Sequence, residues 1–411
     1  MHVVMFGDQH VETLGGAQVS MRLQRRFLEL AGHTVTIVSP KVHGPRGRSI
    51  APDASYLDIP SVPVAFDREY SMSWPGRRTD RWVDAALAGR PPVDVVHVQA
   101  DFWGAFIGLR CARRHSLPVV ITMHNRVEVG IRAVTPFPGL VLRTLNAWQR
   151  RAIGSRARGA DGWAYLAGLA EGAAAVTAPS AHFAQRLEDH GVHARVEVSW
   201  NGIDDELLDA ALIGAAAGRR PGRPRLVWLG RMSPEKRLLP FLEAVADSGV
   251  SADVEVIGGG GQLRAAQHLV ARRGLDPAAG VGDPHRPTVR FAGRLPYDEV
   301  LRHIADADAV VQTSIGFETQ GMTVFEAASL GTPSVVSDPD IAAELGSGYW
   351  TVGNGRVPDA STAALAAALV HATADIEAGR PVPVDPTIRE RFRQSSRTAA
   401  MIDLYRRVAG S

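Results

Sequence analysis

Two glutamates, Glu318 and Glu326, stand in E-x7-E spacing inside "SIGFETQGMTVFEAASLGTP" (314–333), a stretch otherwise mostly small or apolar. Apolar neighbours imply partial burial, where an ionised carboxylate needs hydrogen-bond donors or a cation to replace lost water. A hydroxyl-rich ligand would supply such donors. Thr323 and Glu326 also fit the capping box T-x-x-E, so a purely structural expectation exists in which Glu326 reaches back to the start of its own helix near Thr323. Capping gives Glu318 no role.

Cations come from "GRMSPEKR", which follows the strand-like "RLVWLG". Ser233 can cap a helix and Pro234 suits its first position, which sets Lys236 in a first turn where the helix dipole disfavours a cation unless an anion is near. Arg231 and Lys236 could clamp a diphosphate while helix-end amides add donors. The bland alternative is a solvated basic turn. Pro240 is expected to kink or divide the helix.

In "GDQHVETLGGAQ", Gly15 and Gly16 precede a helix and leave its amides open to an anion, though a turn needing positive φ accounts for the pair equally well. A nicotinamide dinucleotide fits poorly, because no G-x-G-x-x-G occurs and the second strand ends in "VSP" without an acid for a ribose. His97 in "VVHVQADF" and His124 in "ITMHN" close consecutive strand candidates and point to one sheet edge. Either could instead be a core histidine. With Asp101 as the one carboxylate close in sequence, and no D-x-D-type cluster at a strand end, no metal site is expected.

These residues need elements to hold them, and the pattern supplies βαβ units. "HVVMF", "AQVSMRLQRRFLELAG" and "HTVTIVS" open the chain, with Gly32 placed to end the helix. Strand candidates follow at 93–98, 118–124, 174–180 and 195–200, then at 224–230, 253–258, 288–293, 308–314 and 332–338. The Gly-, Pro- and Arg-rich "GAAAGRRPGRPR" (214–225) reads as a linker between them. The expectation is an α/β protein of two doubly wound Rossmann-like domains facing across a cleft, with ligands at the carboxyl ends of the strands.

Composition agrees. A length of 411 residues favours two domains, and 45 basic against 43 acidic residues leave a charge of +2 that gives no reason to expect nucleic acid as a partner. The single cysteine, Cys111, rules out an intramolecular disulfide and suits a reducing cytoplasm. No run approaches the ~18 apolar residues of a membrane span and the start lacks signal-peptide features, so a soluble or peripheral protein is expected.

"LGRMSPEKR" followed by "FETQGMTVFEAASLGTPSVV", with "GGAQ", "TMHN", "APSAHFAQRL" and "NGID" before them, resembles the retaining glycosyltransferases of family 4 and their GT-B fold. The resemblance runs over essentially the whole chain. It implies domains at 1–205 and 224–385, a linker at 206–223, and a C-terminal helix, 386–411, packed back on the first domain. It further implies that Glu326 holds the ribose hydroxyls of a sugar nucleotide, that Glu318 contacts the transferred sugar, and that His124 faces that sugar. Arg231 and Lys236 would neutralise a UDP- or GDP-linked diphosphate, joined by amides near Gly16, Gly321, Met322 and Thr323. Base contacts would come from Gly258 and from Phe291 to Arg294.

The acceptor would sit in the first domain, with His10, His97 and Asp101 as candidate contacts, and no cofactor or metal beyond the donor is implied. The first loop is more polar than the usual Pro-rich entry, and "VQADF" stands where many relatives carry a second histidine. "ETQG" with "VVHVQADFWGAFIGLRCARR" resembles the branch that glycosylates diacylglycerol and related lipids. A basic amphipathic segment at 139–158, with Leu142, Leu145, Trp148 and Ala152 at helical spacing beside Arg143, Arg150, Arg151, Arg156 and Arg158, could lie on an anionic membrane at its cytoplasmic face. Transfer to a soluble sugar or metabolite, a sugar-nucleotide epimerase on the same fold and a silent sugar-binding module are the alternatives.

Overall fold

The computed structural model describes residues 1–13, 16–64, 70–215, 222–276 and 285–410. The chain divides into two compact units, Met1–Gly202 with Gln394–Ser411, and Ile203–Arg393.

Strands of the first unit are β1 (His2–Gly7), β2 (Thr34–Pro40), β3 (Tyr56–Ile59), β4 (Val62–Pro63), β5 (Ser71–Met72), β6 (Val95–Gln99), β7 (Val119–Thr122), β8 (Ala175–Ala178) and β9 (Val196–Val198). All but β4 and β5 form one parallel sheet in the order β3-β2-β1-β6-β7-β8-β9. Alternation along β1 feeds both faces. Val4 and Phe6 join a core with the helices Trp103–His115, Pro138–Ile153, Gly162–Ala170 and Ala181–Asp189, while Val3 and Met5 pack with the helices Gly16–Leu30 and Gln394–Ala409.

Strands of the second unit are β10 (Arg225–Arg231), β11 (Asp253–Gly259), β12 (Thr288–Gly293), β13 (Ala309–Gln312), β14 (Ser334–Val336) and β15 (Tyr349–Thr351), parallel in the order β12-β11-β10-β13-β14-β15. Strand order reverses between β1 and β6 in one sheet and between β10 and β13 in the other. Loops after those strands leave in opposite directions and open a crevice.

Several expectations shift. β3 and β15 had no counterpart in the sequence pattern, being sheet edges of four and three residues. The described part of the linker span 206–223 is largely the helix Asp205–Ala215, whose buried Leu208 and Ala211 accompany its packing on the helix Tyr297–Asp306. The C-terminal segment is two helices. Thr387–Phe392 belongs to the second unit, where Phe392 stacks on Phe325 at 4.5 Å, and Gln394–Ala409 belongs to the first. Between them Arg393 leaves the helical region and pairs with Asp209 at 2.6 Å.

The helix Pro138–Ile153 also corrects the proposed membrane stripe. Leu142 and Ala152 are buried and Leu145 and Trp148 pack against them, so this stripe is spent on the unit's own core. Leu140, Arg143, Arg150 and Arg151 face outward, with exposed Phe137 just before the helix.

Tyr405 ties the last helix to the sheet: its hydroxyl lies 2.6 Å from His97 Nδ1 with both side chains fully enclosed. Tyr405→Phe leaves that buried nitrogen without its close partner. It should destabilise the first unit by about 1–3 kcal/mol in urea titration, and an unchanged midpoint would contradict this account.

Candidate active site

The second unit gathers most of the expected donor-site residues at the carboxyl ends of its central strands. β10 ends at Arg231, and Ser233 begins a single 3-10 turn, Pro234–Lys236, closed by Arg237 at φ 57. The following helix, Leu238–Ser248, starts only after Lys236. Lys236 is therefore not in an α-helical first turn, and Ser233 makes no capping bond to a backbone amide. Pro240 falls in the opening turn of that helix, where its missing N–H has no intrahelical partner to lose, so the chain divides at Arg237 and not at the proline.

The Lys236 carbonyl accepts from Thr313 Oγ1 at 2.6 Å, and Thr313 in turn accepts from Trp228 Nε1 at 2.9 Å. This tether sets the Lys236 ammonium on Glu318 Oε1, which also accepts from the Ser314 hydroxyl at 2.7 Å. Lys236 and Glu318, 82 residues apart, form an ion pair that is mostly shielded from water. Arg231 is more open and pairs with Glu235 at 3.0 Å.

Glycines bring the strand ends close. A Cβ on Gly258 would lie 2.0 Å from the Gly230 carbonyl, and its φ of 130° suits glycine alone. Arg294, exposed after β12, passes over Gly259, where a Cβ would stand 3.1 Å from its Nε.

The helix carrying Glu326 runs Met322–Ser329, behind Gly321 at φ 77. Thr323 is thus inside the helix and does not cap it, and the capping-box expectation fails. Glu326 is buried and accepts from the Tyr297 hydroxyl at 2.7 Å. Burial raises its pKa, and the Tyr297 bond opposes the rise. The first amides of this helix, Met322 and Thr323 among them, have no intrahelical acceptor.

In the first unit the expected residues part company. Gly16 opens the helix Gly16–Leu30 with free space where a side chain would stand, whereas Gly15 lies outside the described residues. His124 follows β7 and donates from Nε2 to Gln99 Oε1 at 3.0 Å, which fixes its tautomer. Gln99 in turn donates to Gln24. Burial holds the His124 pKa down at about 4, so the ring is neutral near pH 7.

His97 and His10 are corrected as acceptor contacts. His97 is fully enclosed, with its ring nitrogens 2.6 Å from Tyr405 Oη and 2.7 Å from Thr122 Oγ1. His10 is buried, with Nε2 3.1 Å from Asp58 Oδ1 and Nδ1 accepting from the Glu12 amide at 3.2 Å. Asp101 is buried too. One oxygen accepts from Asn125 and the other has no hydrogen-bond partner. Burial, then the nearby Asp8 charge, raise its pKa to about 7.

Two family models match the chain: "Glycosyltransferase Family 4" over residues 14–207 and "Glycosyl transferases group 1" over 223–375. The chain is a glycosyltransferase with a family 4 domain followed by a group 1 domain. Its relatives include an alpha-monoglucosyldiacylglycerol synthase of Streptococcus pneumoniae, 24% identical over 82% of this chain and 70% of that one. A sulfoquinovosyl transferase of Arabidopsis thaliana is 27% identical over 61% of this chain and 44% of its own length. Among solved structures, Anabaena HepE in complex with UDP and glucose matches with a TM-score of 0.66 and 15% identity, covering 98% of this chain and 99% of that one. That likeness establishes the GT-B class of two parallel-sheet Rossmann-like units.

Two residues of this glycosyltransferase carried no sequence signal. Asp8, just past β1, accepts from the amides of Asp101 at 2.7 Å, Phe102 at 3.0 Å and Gly104 at 2.8 Å, and so holds the start of the helix Trp103–His115. A lone acid after a strand could not be distinguished from any loop residue. Tyr297 on Glu326 is the other, since its partner lies 29 residues on. Among the described residues one cluster has metal-ligand chemistry, Asp84, Cys111 and His115. There Asp84 is taken by Arg114 at 2.7 Å and His115 at 2.9 Å, and burial first pushes the Cys111 thiol up to about 12.

Asp101 sets a pH test. Its folded pKa of about 7 stands above the unfolded value of about 3.9, so its stabilising contribution is full at low pH and is lost as pH rises through about 7. Asp101→Asn should match the wild-type melting temperature near about pH 4, exceed it increasingly as the pH rises, and keep a constant advantage above about pH 7. A pH-independent difference would overturn the assignment.

Proposed function

We propose that this glycosyltransferase moves a hexosyl unit from a nucleoside-diphosphate sugar to a lipid hydroxyl at the cytoplasmic face of a membrane, retaining the α configuration and using no metal. The observation that carries the donor half is the Lys236–Glu318 pair at the β10/β13 switch point, with Arg231 at the end of β10 and Glu326 on the helix that follows β13. As the glycosidic bond breaks, negative charge grows on the departing diphosphate. Lys236, Arg231 and the first amides of the helix Met322–Ser329 would stabilise that charge in place of a divalent ion. Glu318, released from Lys236 by the diphosphate, would accept from the sugar hydroxyls, and Glu326 from the ribose.

Retention here needs no carboxylate nucleophile. Asp101 is held up at about 7 by burial, and Asp8 is raised to about 6 while committed to three backbone amides, so neither is a ready nucleophile. This favours front-face transfer, in which a diphosphate oxygen takes the proton of the acceptor hydroxyl as the new bond forms on the face the leaving group vacates. Neutral His124, with its Nε2 proton on Gln99, would orient the sugar and not act as an acid.

The lipid half is supported by the synthase relative, whose name gives a diacylglycerol product. A surface suited to it carries exposed Phe137 and Leu140 with Arg143, Arg150 and Arg151. Among the described residues no helix is long and apolar enough to cross a membrane.

Turnover of UDP-, GDP- or ADP-hexoses should be seen with diacylglycerol vesicles and should persist in EDTA. Free nucleotide released without any acceptor dependence, or activity abolished by EDTA and restored by magnesium or manganese, would remove the transfer or the metal-free reading respectively. The protein should also float with anionic liposomes at low salt, and Arg150→Glu with Arg151→Glu should weaken flotation. Absence of flotation by the wild type, with full turnover on a water-soluble acceptor, would remove the lipid reading alone.

A further inference from the structure

Tyr297 opens the helix Tyr297–Asp306 directly after Pro296, and the reaction above gives it no part. Its hydroxyl donates to Glu326 Oε1 at 2.7 Å. Among the described residues this is the hydrogen bond that the Glu326 carboxylate accepts, although a carboxylate offers about four acceptor sites. The buried side chain therefore has one oxygen pinned and the other with acceptor capacity to spare.

Charged groups around the helix of Glu326 are engaged elsewhere. Arg389, on the helix packed beside it, donates to the Ser329 carbonyl at 2.8 Å, and its neighbour Glu390 accepts from Arg393 at 3.2 Å. Arg391 has a partner of its own. On the helix of Tyr297, Asp298 pairs with Arg302 at 2.9 Å, Glu299 lies 4.0 Å from the same guanidinium, and His303 bonds Glu255. Asp204 accepts from the Glu206 amide, Asp338 from the Gly316 amide, and Lys236 is on Glu318. Tyr297 itself stays protonated, because burial and then the Glu326 charge push its ionisation well above the usual range.

We propose that Tyr297 is a positioning residue for donor binding: its hydroxyl pins Glu326 Oε1 so that Oε2 is presented, ionised, to the vicinal hydroxyls of the donor ribose. The proposal rests on the reading of Glu326 as the ribose ligand. It makes nucleotide affinity depend on a side chain outside the E-x7-E segment, and it fixes a pH signature. Ribose binding is full above the raised pKa of Glu326 and is lost as pH falls through it. Removing the phenol removes the bond that favours the charged form, so the loss must begin at higher pH.

The test titrates wild type, Tyr297→Phe and Glu326→Gln with UDP, GDP and ADP, and then takes the 2′,3′-dideoxy form of whichever binds, by calorimetry across the acid range. Tyr297→Phe keeps the ring, so its melting temperature should stay within a few degrees of wild type. Its nucleotide affinity should fall about ten- to a hundredfold near neutral pH, the worth of one hydrogen bond to a charged group, with the acid midpoint displaced upward. With the dideoxy nucleotide, wild type and Tyr297→Phe should bind alike at every pH. Nucleotide binding unchanged in Glu326→Gln would overturn the ribose reading and this proposal together. Binding lost in Glu326→Gln but unchanged in Tyr297→Phe would overturn the proposal alone, as would an equal loss of affinity for the ribo and dideoxy forms, which marks a structural role.

Discussion

Parallel strands can be joined only by crossovers, and where successive crossovers part to opposite sides, the carboxyl ends of two neighbouring strands are left uncovered. Each unit has one such place, β1 with β6 and β10 with β13. Residues with chemistry collect there: Asp8 and Asp101 after the first pair, with His124 one strand over, and Arg231, Lys236 and Glu318 after the second. Glycine keeps these ends close. A Cβ on Gly104 would stand 2.4 Å from the Gly7 carbonyl, the counterpart in the first unit of the Gly258 contact with Gly230 in the second.

Crowding polar groups at a half-dry strand end raises the cost of every charge, and the two units meet it differently. The second compensates: Lys236 and Ser314 serve Glu318, and Tyr297 serves Glu326. The first withholds charge. His97 and His124 are held neutral, and Asp101 keeps its proton to about 7 while Asp8 spends its carboxylate on helix amides. A unit that steadies a diphosphate needs movable charge, and one that seats a neutral hydroxyl needs fixed, weakly charged dipoles. The contrast is consistent with the division of labour proposed for the two.

Buried parallel strands were legible because both faces are covered, which forces runs such as "VVHV" and "LVWL" that no other element explains. Edge strands β3 and β15 escaped, since a short edge needs little hydrophobic run. The Glu318 and Glu326 pair was legible as carboxylates in an apolar stretch. The capping box was not a sound guide, because spacing alone cannot tell whether a helix begins at Thr323 or one residue earlier behind a left-handed glycine. The arginine-flanked stripe from Leu142 to Ala152 misled for a related reason: helical periodicity identifies an apolar face and is silent on whether protein or membrane covers it.

The sequence by itself determined the βαβ order, the two-unit division, and the presence of cations and carboxylates after particular strands, because these follow from local periodicity and residue chemistry. Only the tertiary structure decided which charges meet. Lys236 finds Glu318 across 82 residues, Tyr297 finds Glu326 across 29, and His97 is sealed by Tyr405 from the far end of the chain. Such pairings depend on strand order and crossover, which bring distant loops to one sheet edge, and no spacing within a single segment encodes them.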